Sequence, residues 1–167
     1  NIFNDKNIIP IINSKEELIK FSKSEFFNTN FKLGIQVETG LNRLGISLND
    51  LPLNIIKKIN VYLLLSHLSS SEELKNKYNN FQNDNFKSFF NLFKSIKYKS
   101  LCNSAGIINN AEYHYDILRP GISLYGGYDN KIINRKLVIN PVIKLKAKIL
   151  QIKIIKKNNY IGYNQTY

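Results

Sequence analysis

The chain has 167 residues, 43% of them apolar and 22% charged, a balance that fits about one globular domain with a sizeable core and argues against disorder. Lysine and arginine outnumber aspartate and glutamate by 24 to 12, a formal charge of +12; the lysines are scattered singly among Asn, Ile, Phe and Tyr, so the charge reads as compositional bias, since a nucleic-acid footprint needs a clustered patch. One cysteine, Cys102, and two histidines, His67 and His114, exclude a disulfide framework and a structural metal cluster, and no apolar run reaches the roughly 18 residues of a membrane span.

The chain opens on Asn1 and contains no Met, which reads as a piece of a longer or processed protein. Asn1 to Pro10 lacks the basic, apolar, small-residue order of a signal peptide, so a cytoplasmic location is expected. Ile8 to Ile12 predicts a first strand. Ser14 then caps a helix, with Glu17 placed to reach back to it. Phe31 to Val37 predicts a second strand, and Leu51 to Ile59 a helix with Leu53, Ile55, Ile56 and Ile59 on roughly one face. Val61 to Leu65 is almost wholly apolar, as expected of a strand covered on both sides. A long helix is predicted over Glu72 to Ile96, where Phe86, Phe89, Phe90 and Phe93 follow helical spacing and read as core. Short strands follow near Leu101 and over Asp116 to Leu118, and Ile122 to Tyr125 is an apolar segment after a Pro-Gly turn.

This alternation implies an α/β fold with a parallel sheet, either doubly wound or closed as a barrel. About five strand–helix units are visible, against the eight of a complete barrel. From about Val138 the pattern changes to extended runs, Val142 to Ile155 and Tyr160 to Tyr167. The division expected is therefore a barrel part, 1–137, and the opening strands of a β-rich domain, 138–167.

The polar residues favour the barrel, because working groups there lie just past the C-terminal ends of strands. Arg43 follows the second strand, His67 ends the third, Ser104 follows the fourth, and Arg119-Pro120-Gly121 follows the fifth. Singly, each is as well read as an ordinary surface or structural residue. Together they line one mouth, and two arginines, a serine and the amides of Gly121 and Ile122 suit a phosphorylated anionic ligand.

These same residues carry a resemblance. Glu38-Thr39-Gly40-Leu41-Asn42-Arg43-Leu44-Gly45, Ser66-His67-Leu68 with Glu72, Asn103-Ser104-Ala105, Arg119 to Gly126, and Ile161 to Tyr167 resemble, in order, motifs of the alanine racemases. The resemblance implies a partial (β/α)₈ TIM-type barrel followed by the first strands of a C-terminal β domain. It implies pyridoxal 5′-phosphate as cofactor, alanine as substrate, D-alanine supply for peptidoglycan, and a homodimer in the complete enzyme. It also implies roles: Ser104 and the amides of Gly121 and Ile122 for the cofactor phosphate, Arg119 for the pyridine nitrogen, and Arg43 for the substrate carboxylate. Tyr163 would be the base on one face of the α-carbon, contributed across the dimer, with His67 bridging it to Arg119.

Two departures stand out. The family's cofactor-holding lysine motif is absent from these residues, so the chain alone is expected to be inactive. Gln36 stands where many members have a lysine that becomes carbamylated and buttresses the arginine; its oxygen can accept a hydrogen bond from Arg43 but supplies no negative charge, which leaves the positioning of Arg43 open. Two rival readings are a non-catalytic pyridoxal-phosphate-binding barrel, against which the extended run after Val138 and Tyr163 argue, and a basic nucleic-acid-binding protein using Lys144, Lys146, Lys148, Lys153, Lys156 and Lys157, a run that reads equally as a solvated strand edge.

Overall fold

The computed structural model describes residues 8–27, 31–127 and 139–165. Four strands, β1 (Ile11–Ile12), β2 (Gly34–Gln36), β3 (Asn60–Leu65) and β4 (Ser95–Ser100), form one sheet in the order β1-β2-β3-β4, every pair parallel. Each strand is followed on the sheet by the next in sequence. A doubly wound sheet reverses its strand order at a switch point, and none occurs here. Unbroken sequential order is what an arc of a barrel requires.

The helices form where the sequence caps them. Helix α1 (Lys15–Ser22) starts at Ser14, whose Oγ accepts the Glu17 N–H at 3.2 Å. The Glu17 carboxylate reaches back one residue further than expected, to the N–H of Asn13 at 2.7 Å. Leu18 is fully buried beneath this turn. Helix α2 (Leu53–Ile56) is a single turn, shorter than the predicted Leu51–Ile59, because Pro52 delays its start and a 3₁₀ turn occupies Leu48–Asp50. Ile56 and Ile59 are core residues; Leu53 is exposed and leaves the predicted apolar face.

The largest correction concerns the helix predicted over Glu72 to Ile96. Helix α3 spans only Lys77–Ser88, begun by Asn76, whose side chain accepts the Tyr78 N–H at 2.9 Å. The chain then turns at Phe89, and Ser95–Ser100 forms β4, with Ile96 opposite Val61 and Tyr98 opposite Leu63. The phenylalanine spacing ran across this turn. Phe86, Phe89 and Phe93 are nevertheless buried, so the core reading of the stripe holds. They pack with Leu18, Ile35, Leu64 and Leu101 into the core between helices and sheet. Much of the inward face of α3 is polar: Asn79, Gln82 and Asn83 are buried there.

The fifth predicted strand, Asp116 to Leu118, runs beside β4 without a ladder; the N–H groups of Asp116 and Ile117 both reach Lys99 O, at 3.0 and 3.1 Å. Helix α4 (Ser104–Asn109) follows β4, and Ile122–Tyr125 is a 3₁₀ turn. No strand forms among residues 139–165. Leu145, Leu150, Ile152 and Ile154 of this segment are almost wholly exposed. An extended segment becomes a strand only beside a partner, and no ladder joins this one to another segment among the described residues. Residues 128–138 and 166–167, including the predicted domain boundary and Tyr167, lie outside the described residues.

Candidate functional site

The site is built at the C-terminal ends of β2, β3 and β4. After β2 the chain makes a closed loop and returns to bridge Val37 with Ile46. Glu38 organises it, accepting the N–H of Gly40 and, at 2.9 Å, that of Asn42. Asn42 takes a left-handed conformation, φ 56°, which its short side chain tolerates. Gly45 closes the loop at φ 119°; a Cβ there would stand 2.7 Å from the Val37 carbonyl carbon. Arg43 is presented, exposed, from the tip. Gln36 does not meet it. Its amide nitrogen instead donates to Leu44 O at 3.3 Å, so it supports the loop's backbone, and no hydrogen bond links Gln36 to Arg43 among the described residues.

β3 ends in Ser66-His67. The burial of His67, together with the positive charges of Arg119 and Arg43, lowers its pKa from the ordinary 6.5 to about 4. The imidazole is therefore neutral near pH 7. Its Nδ1 is buried with no hydrogen-bond partner among the described residues. The shared electrostatics place Arg43, His67 and Arg119 at one mouth. No hydrogen bond joins the His67 ring to Arg119 among the described residues.

Arg119 is held elsewhere. Its Nε donates to the hydroxyl of Ser100 at 2.9 Å, and its Nη2 donates to the carbonyls of Ser66 and, at 3.4 Å, Leu101. Two strand ends thus grip one side of the guanidinium. No hydrogen bond uses Nη1 among the described residues, which leaves a donor for a ligand. Burial is the main pull on its pKa, downward, yet a guanidinium keeps its proton under such shifts.

Ser104 opens α4, capped by Asn103, whose side chain accepts the Gly106 N–H at 3.0 Å. The Ser104 Oγ receives the Gly121 N–H at 2.8 Å, the Ser123 N–H at 3.3 Å and lies 3.1 Å from the Ser123 hydroxyl. The Ser104 hydroxyl thereby ties the start of α4 to the turn after Gly121, so that two short helical turns begin side by side. Gly121 leaves room there: a Cβ would meet only Ser104 Oγ, at 3.9 Å. The Ile122 N–H makes no such bond to Ser104, while the neighbouring Ser123 does.

Tyr163 opens a short turn, Tyr163–Gln165, and is 97% exposed. The structure gathers Arg43, His67, Ser104, Arg119 and Gly121 at the strand ends, while Tyr163 belongs to the exposed segment that follows residue 139. Sequence reasoning missed Ser66, Ser100, Ser123 and Gln82. For Ser66 the available signal was a serine directly after the apolar run that ends β3; β4, with Lys97 and Lys99 among its residues, gave none for Ser100. No potential metal cluster and no helix long and apolar enough to cross a membrane occur among the described residues.

Comparison with known proteins agrees with this geometry. The family model described as alanine racemase, N-terminal domain, matches residues 2–129. The alanine racemase of Rickettsia canadensis is 36% identical, over 96% of this chain and 44% of that protein. The biosynthetic alanine racemase of Mesorhizobium japonicum is 30% identical, over 99% of this chain and 41% of its own length. The chain thus spans less than half the length of these relatives. Among solved structures, the alanine racemase of Bartonella henselae with covalently bound pyridoxal phosphate superposes with TM-score 0.65 at 30% identity, covering 75% of this chain and 38% of that one. The biosynthetic alanine racemase of Pseudomonas aeruginosa gives 0.76 at 22% identity over 94% of this chain and 45% of its own, a likeness of fold alone. With more than half its residues matched by the family model, the chain belongs to the alanine racemase family.

Proposed function

We propose that this chain is the central part of an enzyme that interconverts L- and D-alanine with pyridoxal 5′-phosphate, supplying D-alanine for peptidoglycan in the cytoplasm as a homodimer. The observation that carries the reading is the convergence of Ser104, Gly121 and Ser123 beside a guanidinium gripped by two strand ends. The donor set fits the cofactor: hydroxyl and amide donors for a phosphate, and a fixed arginine for a ring nitrogen. When bound, pyridoxal 5′-phosphate supplies an electron-withdrawing ring that acidifies the α-proton of an amino acid.

Ser104 and the amides of Gly121 and Ile122 would hold the phosphate, with Ser123 tying the turn to the Ser104 hydroxyl. Arg119 donates a hydrogen bond at the ring nitrogen without surrendering its proton, which restrains the ring's pull on electrons and favours proton exchange over side reactions. Arg43 pairs with the substrate carboxylate at the open side of the mouth. His67, kept neutral by burial and the two arginines, is the group that would bridge the incoming Tyr163 to Arg119. Tyr163 is the base for one face, supplied across the dimer. The lysine for the opposite face comes from outside these residues, and the chain by itself is inactive.

Residues 1–137 belong to the barrel and 138–167 begin a β domain. The exposed apolar side chains after Val142 support this division, since their partners would be strands beyond this chain.

The test is the complete enzyme, assayed for racemisation of alanine and for the absorption of bound cofactor. Arg119→Glu should shift that absorption and raise transamination relative to racemisation. Unchanged spectrum and unchanged ratio would remove Arg119 from the ring nitrogen.

A further inference from the structure

The inward face of α3 is polar because it holds the backbone of the loops that build the site. Asn85 donates to Thr39 O at 3.2 Å and Tyr78 to Gly40 O at 3.0 Å, both in the Arg43 loop. Asn79 donates to Ser70 O and Glu73 O, at 3.0 and 3.1 Å. Gln82, fully buried, touches the residues around the imidazole. Its amide nitrogen donates to His67 O at 3.0 Å, and its Oε1 accepts from the N–H and hydroxyl of Ser69, at 2.8 and 3.0 Å.

We propose that Gln82 is a positioning residue for His67, fixing from the buried face of α3 the backbone that sets where the imidazole stands beyond β3. This rests on the racemase reading above. The reason is geometric. His67 Nδ1 has no partner among the described residues, so no hydrogen bond from that nitrogen orients the ring. Its place is set through its main chain, and Gln82 is the side chain that binds that main chain at His67 O and again two residues on. A carbonyl and an N–H buried in the loop would otherwise go unpaired, a cost that favours rearrangement of the loop. Displacement of a site group by about 1 Å can lower turnover by about 10²-fold.

The test uses the complete enzyme with cofactor and three variants. Gln82→Leu removes every bond of the amide. Gln82→Glu keeps the acceptor for Ser69 but, ionised, cannot donate to His67 O, and covers the case in which Gln82→Leu does not fold. Asn79→Ala is the control: it removes buried bonds from the same face without touching His67. Two readouts are followed, kcat against KM and the titration of His67 by NMR with labelled histidine, its resonance assigned by loss in His67→Gln.

Gln82→Leu and Gln82→Glu are expected to lower kcat by about tenfold or more, with KM changed less than about threefold, and to move the His67 titration away from about 4. Asn79→Ala should lower the thermal midpoint and leave both readouts as in the parent. If the Gln82 variants lose thermal stability while kcat and the His67 titration match the parent, the positioning role is wrong and the amide is only structural. If the parent enzyme shows no racemisation, the racemase reading fails, and the titration alone then decides whether Gln82 sets the setting of His67.

Discussion

Arg119 Nε donates to Ser100 Oγ at 2.9 Å, and that hydroxyl passes its own proton on to Ile117 O at 2.6 Å. The serine is fully buried at the end of β4, so one hydroxyl ties the arginine's side chain to the backbone two residues before it. Ser100→Ala removes a hydrogen bond to a charged group, an effect of about 1.5–3 kcal/mol. A fall of that size in denaturant unfolding is expected, together with a shifted cofactor absorption in the complete enzyme. A spectrum identical to the parent's would show that Ser66 and Leu101 suffice to orient Arg119.

His67 makes stability depend on pH in a definite direction. Its pKa falls from 6.5 to about 4 on folding through burial and the two arginines. Below pH 6.5 the unfolded chain takes up a proton that the folded state refuses, so the stabilising contribution, complete above 6.5, is lost as pH falls toward 4. His67→Gln should therefore flatten the dependence of the thermal midpoint on pH between 5 and 6.5. Parallel curves for parent and variant would mean that His67 titrates normally.

Gly45 holds the Arg43 loop closed. At φ 119° a side chain is strained, and its Cβ would press on the backbone of Val37 and Glu38 at 2.7 and 2.8 Å. Gly45→Ala should cost about 1–3 kcal/mol in stability and displace Arg43. In the complete enzyme KM for alanine is expected to rise by more than kcat falls. An unaltered KM in a folded variant would detach this loop from the substrate.

Tyr163 is the remaining base assignment. Tyr163→Phe removes one oxygen from a side chain that is 97% exposed in this chain, so folding and cofactor binding should survive. Racemisation should drop by about 10²-fold or more, and solvent deuterium should enter one enantiomer of alanine faster than the other. Equal exchange from both enantiomers would show that the hydroxyl is not the base.

Local chemistry made part of this molecule legible in advance. The strand–helix alternation, the cap at Ser14, the buried phenylalanines and the polar groups beyond each strand end depend on residues within a few positions of one another, and periodicity records such relations. The same periodicity misled across Phe89, where helical spacing continued through a turn and absorbed the start of β4.

Only the tertiary structure decided which side chains hold the site. The bond from Arg119 to Ser66 joins residues 53 positions apart, and that from Gln82 to His67 joins residues 15 apart on different elements. Such pairs meet because the sheet brings strand ends together, and no spacing along the chain encodes it. Residues 139–165 show the converse: their apolar runs read as strands, yet a strand is a relation between two segments, and without a partner beside it the pattern alone forms none.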